Sequence, residues 1–175
     1  MISSIQYRRC EMKDLHALKE VSESTFAVAF ARFNTPEDMH EYMSEAFAID
    51  RISKELSDPD VAYYFAEVQG KIAGYVKLNA RQAQTDLQDP HSLELERIYV
   101  LQAYQNQGIG QSLLTEAISL AKKEGCHYLW LGVWDQNEGA IRFYQRHGFR
   151  TFGKHDFFLG KDRQSDYLMR YELEI

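Results

Sequence analysis

The run Gln105-Asn106-Gln107-Gly108-Ile109-Gly110 sets two glycines between a strand-like segment and a helix-like one. Glycine adopts positive φ at little steric cost and lets a ligand approach the backbone. The first N–H groups of a helix, here those around Ile109 to Ser112, lack internal partners and point outward. The combination is an anion nest suited to a pyrophosphate. It is not a Walker loop, because G-x-x-x-x-G-K-[ST] is absent. Nor is it a full dinucleotide fingerprint: Gly108-x-Gly110-x-x-Leu113 lacks the third glycine, and too little chain follows for two mononucleotide halves. On this loop alone, a glycine-rich turn without a ligand stays open.

Three further groups carry chemistry. Glu94 and Glu96 lie two apart on the segment leading into the loop, so an ideal strand turns both to one face. There they can take a proton, bind a cation or face solvent. Asn137 opens a later helix as a side-chain N-cap. Tyr144, on that helix, carries a phenol and reads by itself as an amphipathic core residue with a bonded hydroxyl. Phe26, Phe30, Tyr42 and Phe47 come from early helices, where core packing is the competing reading.

The elements that must position these groups follow from periodicity. Ile2 to Arg9 reads as a strand, and Lys13 to Phe33 as a helix with apolar residues at about 3.6 spacing. Thr35-Pro36-Glu37-Asp38 is a helix start, with a hydroxyl cap, proline in the first turn, then acids at the positive dipole end. That helix runs to Phe47, and Asp50 to Leu56 forms another. Tyr63 to Val68 and Ile72 to Leu78 flank Gln69-Gly70-Lys71 as a hairpin. Ala80 to His91 is a polar loop, and Leu93 to Val100 a strand. Ile109 to Lys123 is an amphipathic helix stopped by Gly125. Tyr128 to Trp134 is a continuous apolar strand of a buried position. Asn137 to His147 is a helix, and Phe149 to Leu159 and Tyr167 to Leu173 are strands. The expected order is β-α-α-α-β-β-β-α-β-α-β-β: one α/β domain over residues 1–175, with about seven strands in a mixed sheet flanked by helices.

The 175 residues suit one domain, and 45% hydrophobic with 26% charged residues is ordinary globular composition. A net charge of −6 argues against a nucleic-acid partner and suits a cationic small ligand. The two cysteines are far apart, and the six histidines form no H-x-x-x-H pair, so no metal is expected. The N-terminal residues carry no apolar run like that of a signal peptide. No stretch approaches the ~20 apolar residues that span a bilayer. The expected location is the cytoplasm.

Glu96-Arg97-Ile98-Tyr99-Val100 followed by Gln105-x-x-Gly108-x-Gly110 resembles the acetyl-CoA motif of the GNAT N-acetyltransferases. Asn137-x-x-Ala140-x-x-Phe143-Tyr144, then Gly148-Phe149, is similar to their second motif. Thr25-Phe26, Asn34-x-Pro36-Glu37-x-Met39, Glu45-Ala46-Phe47, Trp130 to Trp134 and Gln164-x-Asp166 resemble the PaiA-type bacterial spermidine/spermine acetyltransferases. The resemblance implies the GNAT fold and acetyl transfer from acetyl-CoA to a primary amine by direct attack, a polyamine being the implied acceptor. A protein N-terminus or lysine is the alternative acceptor, and a non-catalytic acetyl-CoA-binding module the alternative role. A homodimer is also common in such proteins.

The resemblance implies Glu96 as the base, working through water with Glu94 as competitor, and Tyr144 as the acid near the sulfur. Coenzyme binding falls to Ile98, Tyr99, Val100, Gln105, Asn106, Gln107, Gly108, Ile109, Gly110, Gln111, Ser112, Asn137 and Tyr144. Phe26, Phe30, Tyr42, Glu94, Glu96 and Trp134 are implied around the acceptor. The edge of the Ile98–Val100 strand must stay open, by a splay or a bulge, to pair with the pantetheine amides.

Overall fold

The computed structural model describes residues 4–174. Its strands are β1 (Ile5–Arg9), β2 (Val61–Val68), β3 (Lys71–Ala80), β4 (Ser92–Val100), β5 (Tyr128–Trp134), β6 (Arg150–Leu159) and β7 (Asp162–Glu172). Its α-helices are α1 (Leu15–Phe30), α2 (Pro36–Ala46), α3 (Ile49–Ser57), α4 (Ile109–Lys123) and α5 (Glu138–Arg146). The strands form one seven-stranded sheet in the order β1-β2-β3-β4-β5-β7-β6, all neighbours antiparallel except β4 and β5.

The expected element order holds. Ile2 and Ser3, expected to begin the first strand, lie outside the described residues. The long helix expected over Lys13–Phe33 is α1 with a single 3-10 turn at either end. The front turn forms because Asp14 accepts from the Glu11 amide at 2.8 Å, and Asn34 closes the back by donating to the Phe30 carbonyl at 2.9 Å. Thr35 caps α2 through the Asp38 amide, as its sequence demands. The last strand starts earlier than its apolar part indicated. Polar residues from Asp162 to Asp166 pair with β6, from Leu159↔Asp162 to His155↔Asp166, past a turn in which Gly160 holds φ 62°.

The sheet separates two apolar clusters. On one face α4 sets Ile109, Leu113, Leu114, Ala117 and Ala121 against Leu93, Leu95, Leu129 and Leu131, and Tyr144 and Phe149 join them. On the other, Leu18, Val21, Phe26, Met39, Phe47 and Ile52 pack on Tyr63, Phe65, Tyr75 and Leu159. Among the described residues no helix is long and apolar enough to cross a membrane.

The parallel pair at the centre is short. β4 and β5 are in register only from Ser92↔Tyr128 to Glu94↔Trp130, after which they part. On its other side β4 stays bound to β3 as far as Gly74↔Val100. Gly74 permits this approach: a Cβ there would lie 2.5 Å from the Tyr99 carbonyl oxygen. Gly74→Ala must push β3 and β4 apart at the end where β4 has no β5 partner. The expected cost is about 1–3 kcal/mol in chemical denaturation, and an unchanged midpoint would show that the contact is not tight.

Candidate active site

Past Glu94 the β4 edge that faces β5 has no strand partner, and the gap opens two cavities that share Ala29, Ile98, Tyr99, Asn137 and Ala140. The larger, about 1240 Å³, runs from Ile98 to Val100 along the glycine loop to the start of α4, with Gly139, Phe143 and His147 of the α5 side opposite. The smaller, about 490 Å³, lies on the side of α1 and α2.

The large cavity is shaped by the loop. Asn106 and Gly108 hold φ of 60° and 80°, which turns the chain into α4. Gln105 donates to the Val100 carbonyl at 3.2 Å and braces the end of β4. Of the residues expected to bind coenzyme, Ile98, Tyr99, Val100, Gln105, Asn106, Gly108, Ile109, Gly110, Gln111 and Asn137 line this cavity. Gln107 and Ser112 line neither. Gln107 donates back to the Ala103 carbonyl at 3.3 Å, and the Ser112 hydroxyl is bonded to Tyr7 of β1. Asn137 caps α5 through the Ala140 amide at 3.2 Å and still borders both cavities.

The small cavity brings together all six residues expected around the acceptor, with Tyr144. Phe26 stacks on Tyr42 with centroids 4.7 Å apart, and Trp134 meets Phe33 edge-on at 5.1 Å. Glu94 and Glu96 do share a face, although β4 is not regular between them. Lys77 pairs with Arg97 and Leu78 with Leu95, so Glu96 is the extra residue of a bulge. The Asn79 amide nitrogen joins the two carboxylates, at 3.0 Å to Glu94 and 2.8 Å to Glu96.

Their environments differ. Glu96 pairs with the buried Lys77 ammonium at 2.5 Å, and Lys77 reaches Glu55 of α3 at 3.1 Å. Burial pushes the Glu96 carboxyl up, but Lys77 and Arg97 outweigh it and hold it at about 2. Glu94 accepts from the Thr85 amide at 2.8 Å and the Thr85 hydroxyl at 2.5 Å. Burial and the neighbouring Glu96 charge nonetheless push its carboxyl above the ordinary value. Burial also pushes the Tyr144 phenol up, which favours its protonated form.

The cavity holds residues that the sequence did not single out. Arg97, buried, stacks over the Phe47 ring at 4.7 Å. Asp86, His155 and Asp166 form a cluster in which His155 Nδ1 lies 2.7 Å from Asp86 and Nε2 3.6 Å from Asp166. Asp166 first, and Asp86 against the cost of burial, raise the imidazole to about 9. The only sequence signal for this cluster was the Gln164-x-Asp166 segment. Asp86 sat in a stretch read as loop, and His155 carried no motif. Among the described residues no group of His, Cys, Asp and Glu is placed to hold a metal ion.

The model of the acetyltransferase (GNAT) family matches residues 19–149. An uncharacterized N-acetyltransferase of Lactobacillus delbrueckii subsp. lactis is 39% identical over 92% of this chain and 93% of its own. The spermidine N(1)-acetyltransferase of Thermoplasma acidophilum is 27% identical over 93% of this chain and 99% of its own. The solved structure of the PaiA N-acetyltransferase from Thermoplasma acidophilum in complex with coenzyme A superposes with a TM-score of 0.78. It is 24% identical and covers 97% of this chain and 99% of that one. The family model's span and the relative at 39% identity show that the chain belongs to the acetyltransferase (GNAT) family.

Proposed function

We propose that the chain transfers the acetyl group of acetyl-CoA to a primary amine of a polyamine, with coenzyme in the large cavity and acceptor in the small one. The observation that carries the acceptor class is the lining of the small cavity. Five carboxylates, Asp86, Glu94, Glu96, Asp156 and Asp166, stand among aromatic walls from Phe26, Phe30, Tyr42, Trp134 and Phe157. Carboxylates suit ammonium groups and aromatic faces suit methylenes and cations. Relatives described as spermidine or spermine/spermidine N(1)-acetyltransferases support the same reading.

The residues of the large cavity fit the coenzyme. The unpaired β4 edge from Ile98 to Val100 can pair with amides, and the loop at Asn106 and Gly108 with the first turn of α4 can hold a pyrophosphate. Gly110 supports this. It is helical, and an added Cβ would touch only Val100 Cγ2 at 3.9 Å, so packing inside the protein does not call for glycine. A ligand backbone lying against the helix does. Acetyl-CoA brings an acyl group already activated as a thioester.

The chain's own residues then bind, orient and move protons. The acceptor amine, with a pKa of about 10 in water, must shed a proton before it attacks. Glu96 stays ionised because Lys77 pairs with it. It is a weak proton acceptor at about 2. Glu94, with its raised carboxyl, is the better acceptor through water, and Asn79 ties the two together. The division of labour therefore shifts the proton from Glu96, the residue the motif implies, towards its neighbour. Tyr144, held protonated by burial, donates to the departing sulfur.

Three measurements test these roles. Coenzyme release with spermidine, spermine, putrescine, simple monoamines and lysine peptides should show polyamines preferred; a preference for peptides would point to protein acetylation instead. Tyr144→Phe should lower kcat on the order of 10²-fold with little change in coenzyme affinity, and an unchanged kcat removes Tyr144 as the acid. Protonating Glu94 stops it accepting a proton, so activity should fall on the acid side as pH drops through its raised pKa. Glu96→Gln removes the like charge, lowers the Glu94 pKa and should move that acid limb to lower pH. A limb that stays in place assigns it to another group.

A further inference from the structure

We infer that Asp166, positioned by the Asp86–His155 pair, receives the remote ammonium of the acceptor and is the residue that selects polyamines over monoamines. This inference rests on the polyamine reading above and adds the residue that would enforce it.

Of the five carboxylates that line the acceptor cavity, Glu96 is paired with Lys77 at 2.5 Å, and Asp156 with Arg163 at 2.7 Å. Glu94 is engaged by Thr85 and Asn79. Asp86 is taken by His155 at 2.7 Å. Asp166 faces the same imidazole at 3.6 Å, a distance too long for a strong hydrogen bond. Its side chain is 14% exposed and opens on the cavity. Of the five it is the carboxylate whose partner lies beyond hydrogen-bond distance.

The surroundings hold that carboxylate in place. His155 on β6 stands directly across from Asp166 on β7, and Asp166 in turn pairs with Trp134 on β5. Both groups lie over Gly132, where an added Cβ would come within 3.3 Å of Asp166 Oδ2 and 3.4 Å of His155 Nε2. The missing side chain at 132 is the space they use. Asp86 is delivered from the other side. The segment before β4 is tied down by Gln84, which bonds the Ser92 carbonyl at 3.0 Å and accepts from Trp130 Nε1 at 3.1 Å. Thr85 is tied to Glu94. The next residue, Asp86, is therefore fixed beside His155. His155, its imidazole raised to about 9 by Asp166 and Asp86, stands as a cation between two carboxylates, so negative charge is in excess there. That charge, at a fixed place in a cavity that also contains Glu94 and Glu96, suits an acceptor with a second ammonium at a distance from the one that reacts. A monoamine leaves it unused.

The test compares spermidine with a straight-chain monoamine of similar length, using the intact chain. In Asp166→Asn the ratio of kcat/KM for spermidine to that for the monoamine should fall about tenfold or more, mainly through a raised KM for spermidine. Asp166→Glu should recover part of the preference. His155→Asn should weaken it less, because the carboxylate stays but loses its brace. Equal losses for both amines in Asp166→Asn would make the residue merely structural and overturn the inference. A parallel readout does not depend on turnover: the side-chain ¹H–¹⁵N signals of His155 during titration with spermidine or the monoamine. A shift with spermidine alone supports the subsite, even if neither amine is acetylated and the polyamine reading of the reaction fails. Acetylation of spermidine with His155 unmoved leaves that reading standing and removes the subsite.

Discussion

The site depends on two parallel strands that cease to pair. β4 and β5 share three residue pairs and then diverge. An interrupted ladder leaves backbone N–H and C=O groups that need partners from elsewhere. Here they face a cleft instead of another strand. β4 can stand at this open edge because its other side is secured. The Gly74 contact brings β3 against the Tyr99 carbonyl, and the Leu101 amide bonds the Ala73 carbonyl at 2.8 Å, while on the open side Gln105 takes the Val100 carbonyl. The two cavities are the two sides of this one gap, and residues such as Asn137 and Tyr99 border both.

The bulge at Glu96 adds an electrostatic constraint. Lys77 is almost fully buried, and such an ammonium survives only if carboxylates flank it. Glu55 of α3 and Glu96 of β4 do so. A helix of one layer is thereby tied to β4 through a charge, and Tyr63 adds its hydroxyl to Glu55. The same arrangement separates two neighbouring carboxyls, one held low and one pushed high. Paired acids with opposed shifts commonly take different roles in proton transfer.

Much of this was legible in the sequence, because its signals were local. Periodicity gave the helices, and the hydroxyl and proline at Thr35-Pro36 gave a helix start. The two motifs located the glycine loop, Asn137 and Tyr144. Alternation put Glu94 and Glu96 on one face, though the bulge that accompanies this is a matter of strand register and left no mark on the sequence. The residues that were missed depend on tertiary proximity. Asp86 comes from a polar connection, and His155 and Asp166 come from a hairpin whose polar half did not look like strand. Ser112 shows the converse. Its place in the first turn of α4 suggested a ligand, but Tyr7, from the first strand, occupies its hydroxyl.

The two apolar clusters lie on opposite faces of the sheet and support different halves of the gap. The wall formed by Phe26, Tyr42 and Phe157 rests on the cluster of α1, α2 and α3, whereas the glycine loop and α4 rest on the other. Substitutions that reshape the acceptor wall are absorbed by one cluster and need not disturb the packing under the loop. Packing on one face of the sheet can therefore change while packing on the other keeps its form.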